Sequence, residues 1–146
     1  MGRKVHLVIA GHLPRKENER RIVRGRRGKP MSIKSEAAIS YVAAVAFQVP
    51  ADLKMSLGSE GHPLSVVGIV YYPWRLRGDL SVELLLDALQ QARVISNDHH
   101  VVENCFVKGY SKDRPRVEVT VTELDDWNWE APDGVALSAV RGGLVE

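Results

Sequence analysis

Lys4 to Ala10 alternates His6, Val8 and Ala10 with Val5, Leu7 and Ile9, which predicts a first strand. With apolar residues in both sets, that strand is expected to be central in its sheet. Gly11 to Pro30 is polar and punctuated by Gly11, Pro14, Asn18, Gly25, Gly28 and Pro30. It reads as a long loop or a ragged hairpin, with Arg21-Ile22-Val23-Arg24 as a short strand before a Gly25–Gly28 turn. A loop of this length inside a small domain is functional or disordered. Ser35 is a good N-cap, with Glu36 in the first turn to meet the helix dipole. The helix should run from Glu36 to about Gln48 and stop before Pro50. Its set Ala37, Ala38, Tyr41, Val42, Val45 and Ala46 recurs at helical spacing, and the alanines permit close approach to a sheet or a second helix.

Leu64 to Tyr72 is β-branched and aromatic and predicts a strand closed by Pro73. Asp79 to Gln91 follows as a second helix, with leucines at 80, 84, 85, 86 and 89 on one broad face and Gly78-Asp79 as its start signal. Val94 to Asp98 is a turn, His100 to Tyr110 a strand, Ser111 to Pro115 a turn. Arg116 to Thr122 alternates cleanly as a half-exposed strand. The order β-(loop)-α-β-α-β-β gives an α+β fold: a small mixed sheet with two main helices packed on it. Residues 1–124 form that domain, with a basic loop at 11–30, and 125–146 are a C-terminal extension. In the extension, Trp127 and Trp129 argue for partial docking, and Val135 to Val140 has room for one helical turn.

Composition adds limits. A chain of 146 residues with 45% hydrophobic and 26% charged residues can bury one core of ordinary size. No apolar run reaches the length of a membrane span, and Met1-Gly2-Arg3-Lys4 has no apolar segment of a secretory signal. A single cysteine, Cys105, excludes an internal disulfide framework and fits a reducing cytosol. Placed mid-strand, it is expected in the core.

The net charge of +2 conceals a division. Residues 1–34 carry 11 Lys/Arg against Glu17 and Glu19, a surplus of nine, while residues 35–146 carry 9 basic and 16 acidic residues, a deficit of seven. A basic front on an acidic body points to a polyanion partner. Arginine suits bidentate phosphate contact, and the front presents Lys16, Asn18, Arg20, Arg21, Arg24, Arg26, Arg27 and Lys29. Gly25-Arg26-Arg27-Gly28-Lys29 is no P-loop, because its spacing differs and Pro30 stands where Ser or Thr belongs.

The acidic body has a pattern of its own. Asp79, Glu83 and Asp87 at i, i+4 and i+8 form one stripe on the expected second helix. Like charges at that spacing disfavour a helix by a few tenths of a kcal/mol per pair unless something positive lies between them. Mg²⁺, which prefers carboxylate oxygen, is one such partner. Asp98, in the next turn, could fold back over the helix start to join Asp79. Alternatively, Asp79 caps the helix while Glu83 and Asp87 are solvated surface. His99 and His100 are adjacent on an expected strand and so point apart, which disfavours a shared zinc ion.

These features together resemble the RusA-type Holliday junction resolvases, common in phages and prophages. There a D-x-D-N-x-x-K segment precedes an L-L-D-A-L helix, followed by an acidic pair and a strand ending in lysine. Leu85-Leu86-Asp87-Ala88-Leu89 is similar to the helix signature, and Val94 to Asp98 to the segment ending in the acidic pair. The eleven-residue step from Asp87 to Asp98 matches as well. His100 through Lys108 resembles the next strand, Pro115 to Val119 the last, and Pro14 to Asn18 the loop after the first; the similarity spans residues 4–123. There are departures. Anchored on Asp87, Asp79 takes the second aspartate position, Arg77 the first and Glu83 that of the lysine. Anchored on Gly78-Asp79-Leu80, Asp79 is the first aspartate, while Ser81 and Val82 replace the second and the asparagine. One carboxylate and the lysine are missing either way, and Glu83 could compensate as a ligand.

The resemblance implies a cytoplasmic homodimer, in a bacterium or a phage-infected host, that cuts four-way DNA junctions. Mg²⁺, with Mn²⁺ as a substitute, would activate water for attack on a phosphodiester. Asp79, Glu83 and Asp98 would be catalytic metal ligands, with Asp87 supporting them or ligating too. Trp74, Arg75 and Arg77 stand before the acidic segment, where the family opens the junction, and Arg75, Arg77 and Lys108 join the DNA-binding set. Two other readings stand beside this one: a branched-DNA-binding protein without cleavage, and a nuclease for other branched DNA.

Overall fold

The computed structural model describes residues 2–15 and 20–132. The elements are β1 (Lys4–Ala10), β2 (Arg20–Arg24), β3 (Pro30–Lys34), α1 (Glu36–Gln48), β4 (Leu64–Tyr72), α2 (Glu83–Gln91), β5 (Val101–Tyr110) and β6 (Arg116–Glu123). The fold is α+β, as the pattern predicts. A four-stranded mixed sheet has the order β1-β6-β4-β5, and β2 and β3 make a separate two-stranded hairpin. β4 and β5 run parallel, while the β4–β6 and β1–β6 pairs are antiparallel. A parallel pair needs a crossover, and α2 supplies it.

Both helices cover one face of the sheet. Val5, Leu7 and Ile9 of β1, Val117, Val119 and Val121 of β6, and Val66 and Val70 of β4 form a common core with Ala38, Tyr41 and Val45 of α1 and Leu84, Leu85, Ala88 and Leu89 of α2. β4, one of the two interior strands with β6, is buried at every position except Tyr71. Gly68 is required there, because a Cβ on it would lie 2.0 Å from the Glu118 carbonyl oxygen of β6. β1, by contrast, is an edge strand rather than a central one. Only Val5, Leu7 and Ile9 are buried, and Val8 is 49% exposed. The apolar second set misleads because an exposed valine or alanine carries little penalty.

α1 forms as its caps dictate: the Ser35 hydroxyl accepts from the Ala38 N–H at 3.1 Å, and Pro50 follows the last turn. α2 is shorter than predicted. It begins at Glu83, with Val82 as its cap residue, and residues 79–82 are not helical. Leu80 and Val82 pack on the core from this non-helical approach, so burial outweighs the Gly78-Asp79 start signal. Asp79 therefore neither caps the helix nor belongs to its stripe.

Cys105 is another correction. It pairs with Val67, whose side chain points away from the helices, and is half-buried instead of enclosed in the core. Asp98 is in a turn, as expected, but that 3-10 turn runs through His99 and His100, which therefore precede β5 rather than belonging to it. Of the two tail tryptophans, Trp127 is half-buried and Trp129 is 75% exposed, so only the first shows the expected docking. The stretch from Val135 to Val140 lies outside the described residues.

The chain ends of the sheet are tied by charge. Arg3 donates from Nε to Glu123 Oε1 at 2.8 Å and from Nη2 to Oε2 at 3.1 Å, and the Gly58 N–H donates to Oε2 at 3.0 Å. Glu123 is 4% exposed. The Arg3 hydrogen bond, helped by the two backbone N–H groups and against the opposing effect of burial, holds its carboxyl down to about 2. Among the described residues, no helix is long and apolar enough to cross a membrane.

Candidate nucleic-acid interface

The basic front resolves into the hairpin alternative. β2 and β3 pair without a break: Arg20 with Lys34, Arg21 with Ile33, Ile22 with Ser32, Val23 with Met31 and Arg24 with Pro30. Side chains alternate across a ribbon, so Arg20, Ile22 and Arg24 share one face with Lys34, Ser32 and Pro30. Arg21, Val23, Met31 and Ile33 take the other. The Gly25 N–H donates to the Lys29 carbonyl at 2.7 Å and closes the tip. Arg27 there sits at a φ of 63°, in the left-handed region that turns use. Arg20, Arg21, Arg24, Arg27 and Lys29 are all exposed. Lys16 and Asn18 lie outside the described residues, as does the side chain of Arg26.

Arg20 is braced within the ribbon: its Nε donates to Ser32 Oγ at 2.8 Å and its Nη2 to the Ser32 carbonyl at 2.6 Å. At the base of the ribbon, Lys34 Nζ donates to Asp87 Oδ2 on α2. That pair is part-exposed, and pairs of this kind are worth about 0–1 kcal/mol. It does explain how α2 tolerates Glu83 and Asp87 one turn apart. Lys34 supplies a positive charge beside Asp87. No local pattern could have revealed this partnership, since 53 positions separate the two residues.

The other predicted acids are spread along α2. Asp79 is exposed four positions before the helix, and Glu83 is its exposed first residue. Asp98 lies at the opposite end, where its N–H donates to Gln90 Oε1 at 3.1 Å. Seven residues of helix separate Glu83 from Gln90, about 10 Å of rise. Asp98 therefore does not fold back over the helix start toward Asp79. It lies instead near Gln90, one turn from Asp87. Among the described residues there is no group of three or more His, Cys, Asp or Glu side chains placed to hold a metal ion. As arranged, the four carboxylates do not fit one Mg²⁺ centre.

A second cluster lies past the C-terminal ends of β1, β4 and β5. The Trp74 ring meets His12 edge-on at 4.9 Å and stands 5.5 Å from Tyr72. The Arg75 guanidinium lies 5.9 Å from the Tyr110 ring, and Lys108 Nζ donates to the Gly78 carbonyl. Arg75, Arg77 and Lys108 are exposed here. The sequence pointed to Trp74 and the two arginines but not to His12, Tyr72 or Tyr110, which reach the cluster only through the sheet order. In comparison with known proteins, the chain matches no family model and no curated sequence.

Proposed function

We propose that this protein acts on branched DNA, as a Mg²⁺-dependent endonuclease that resolves four-way junctions by paired phosphodiester hydrolysis. The observation that carries the DNA-binding half is the β2–β3 hairpin, whose Arg20, Arg21, Arg24, Arg27 and Lys29 are exposed together on one two-stranded ribbon. Five phosphate contacts lower log K by about 4.5 per tenfold rise in salt. The hydrolytic half rests on the resemblance through Leu85 to Leu89 and Asp98. Because the carboxylates do not fit a single centre, no catalytic step is assigned to the metal. A homodimer, presenting two such sites to a two-fold junction, belongs to the same proposal.

A synthetic four-way junction incubated with the protein and Mg²⁺ tests this directly. The expected result is a pair of symmetric nicks that Asp98→Asn abolishes while binding persists. Flap and linear duplex substrates, cut no faster than the junction, separate the proposal from a nuclease for other branched DNA.

A second reading, a branched-DNA-binding protein that does not cleave, is favoured by the Lys34 contact on Asp87 and by the distance of Asp98 from the start of α2. It predicts tight, salt-sensitive junction binding unaffected by EDTA, with the DNA left intact.

A further inference from the structure

We infer that the β2–β3 hairpin enters the major groove of B-form DNA and touches base edges with Ile22, instead of lying along the phosphate backbone. The inference rests on the DNA-binding reading above and adds the mode of binding. Backbone contact alone needs cations, and it gives no reason for a large apolar side chain at the centre of a basic face. Ile22 is 76% exposed, and its neighbours on that face, two residues away on either side, are Arg20 and Arg24. Across the ribbon from it stands Ser32, whose hydroxyl already accepts from Arg20 Nε. The face thus has Ile22 beside Ser32, with the Arg20 guanidinium drawn in onto Ser32 and Arg24 on the tip side.

The dimensions and chemistry agree with a groove. A major groove about 12 Å wide admits a two-stranded ribbon, whereas a minor groove about 6 Å wide does not. The hairpin stands outside the four-stranded sheet, and Arg20, Ile22 and Arg24 of its one face are exposed with Ser32 and Pro30. With the ribbon inserted, Arg20 and Arg24 flank the bases, Arg27 and Lys29 at the tip meet phosphates, and Ile22 faces the 5-methyl group of thymine. A-form RNA, with its deep and narrow major groove, is excluded as the ligand by the same geometry.

The test uses the full chain and labelled 20–30 base-pair duplexes, an arbitrary length of about two to three helical turns. One duplex is unmodified, one carries a glucosyl group on the 5-hydroxymethyl of every cytosine to fill the major groove, and one is saturated with distamycin to fill the minor groove. The expected result is affinity about tenfold or more weaker for the glucosylated duplex, and changed by less than about twofold by distamycin. Equal affinity for the glucosylated duplex, or loss with distamycin alone, overturns the inference while leaving DNA binding intact. Binding to an unmodified four-way junction but not to the unmodified duplex overturns the inference, and failure to bind either overturns the DNA-binding reading itself. A second arm replaces thymine with uracil: wild type should lose about threefold, the worth of one buried methyl group, and Ile22→Ser should show no difference. A wild type indifferent to the methyl group overturns the assignment of Ile22.

Discussion

β1–β6 and β2–β3 are both unbroken antiparallel pairs, and they meet opposite fates. In β1–β6, Val5, Leu7 and Ile9 face Val121, Val119 and Val117, and all six are at most 6% exposed beneath the two helices. In β2–β3, Ile22 is 76% and Met31 50% exposed. The local chemistry of the ladders is alike, so the difference lies in what covers them. One pair is a wall of the core; the other carries Ile22, Met31 and its arginines into solvent, with Val23 and Ile33 half-buried. A hairpin on its own is marginally stable, so this ribbon contributes little to holding the fold together.

The sharpest way to break the comparison is to truncate one isoleucine in each pair. Ile9→Ala should cost about 2–5 kcal/mol in urea unfolding, because Ile9 is 1% exposed and leaves a cavity in the core. Ile22→Ala should stay within about 0.5 kcal/mol of wild type. A comparable loss at both sites would mean that the hairpin is part of the folding core.

Acid sharpens the comparison from the other side, since the β1–β6 pair is clamped by Arg3 and Glu123. Glu123 has its carboxyl lowered from 4.5 to about 2, so the folded state favours the ionised form. Its stabilisation is complete above about 4.5 and is lost as the pH falls toward 2. Chemical unfolding followed from pH 6 to pH 2 should therefore show a loss in wild type that Glu123→Gln largely flattens. An unchanged acid profile in the variant would remove the clamp from the account. The smallest expected effect is at the junction of the two regions: Asp87→Asn should cost less than about 1 kcal/mol in unfolding. Hydrogen exchange should nonetheless quicken in β3, where Lys34 loses its anchor on α2. Unchanged protection there would show that the ion pair does not hold the ribbon.

How much of this could be read in the sequence depended on whether the deciding contact was local. α1 was legible to both ends, because Ser35 and Pro50 are punctuation that acts within a turn. The span of β4 was legible because an unbroken β-branched run has one comfortable setting, the sheet interior. The start of α2 was not, since the packing of Leu80 and Val82 against residues distant in the chain displaced it by four positions. The edge position of β1 was hidden for a similar reason: a strand's pattern reports its faces better than its neighbours. In the candidate site, the arginines of the hairpin were legible from their density alone. The relation of the acids was not, because it depends on where the turn after α2 goes and on Lys34, brought in from 53 residues away.

The central claim is that the hairpin is the DNA grip, and the salt dependence of binding tests it most directly. Binding of a labelled four-way junction is measured between about 50 and 300 mM salt for the wild type and for a variant with Arg20, Arg21, Arg24 and Arg27 all changed to Gln. The account predicts that the slope of log K against log salt becomes shallower by about 3.6 in the variant, about 0.9 for each cation removed, while its unfolding midpoint is retained. Identical slopes for the two proteins would contradict it.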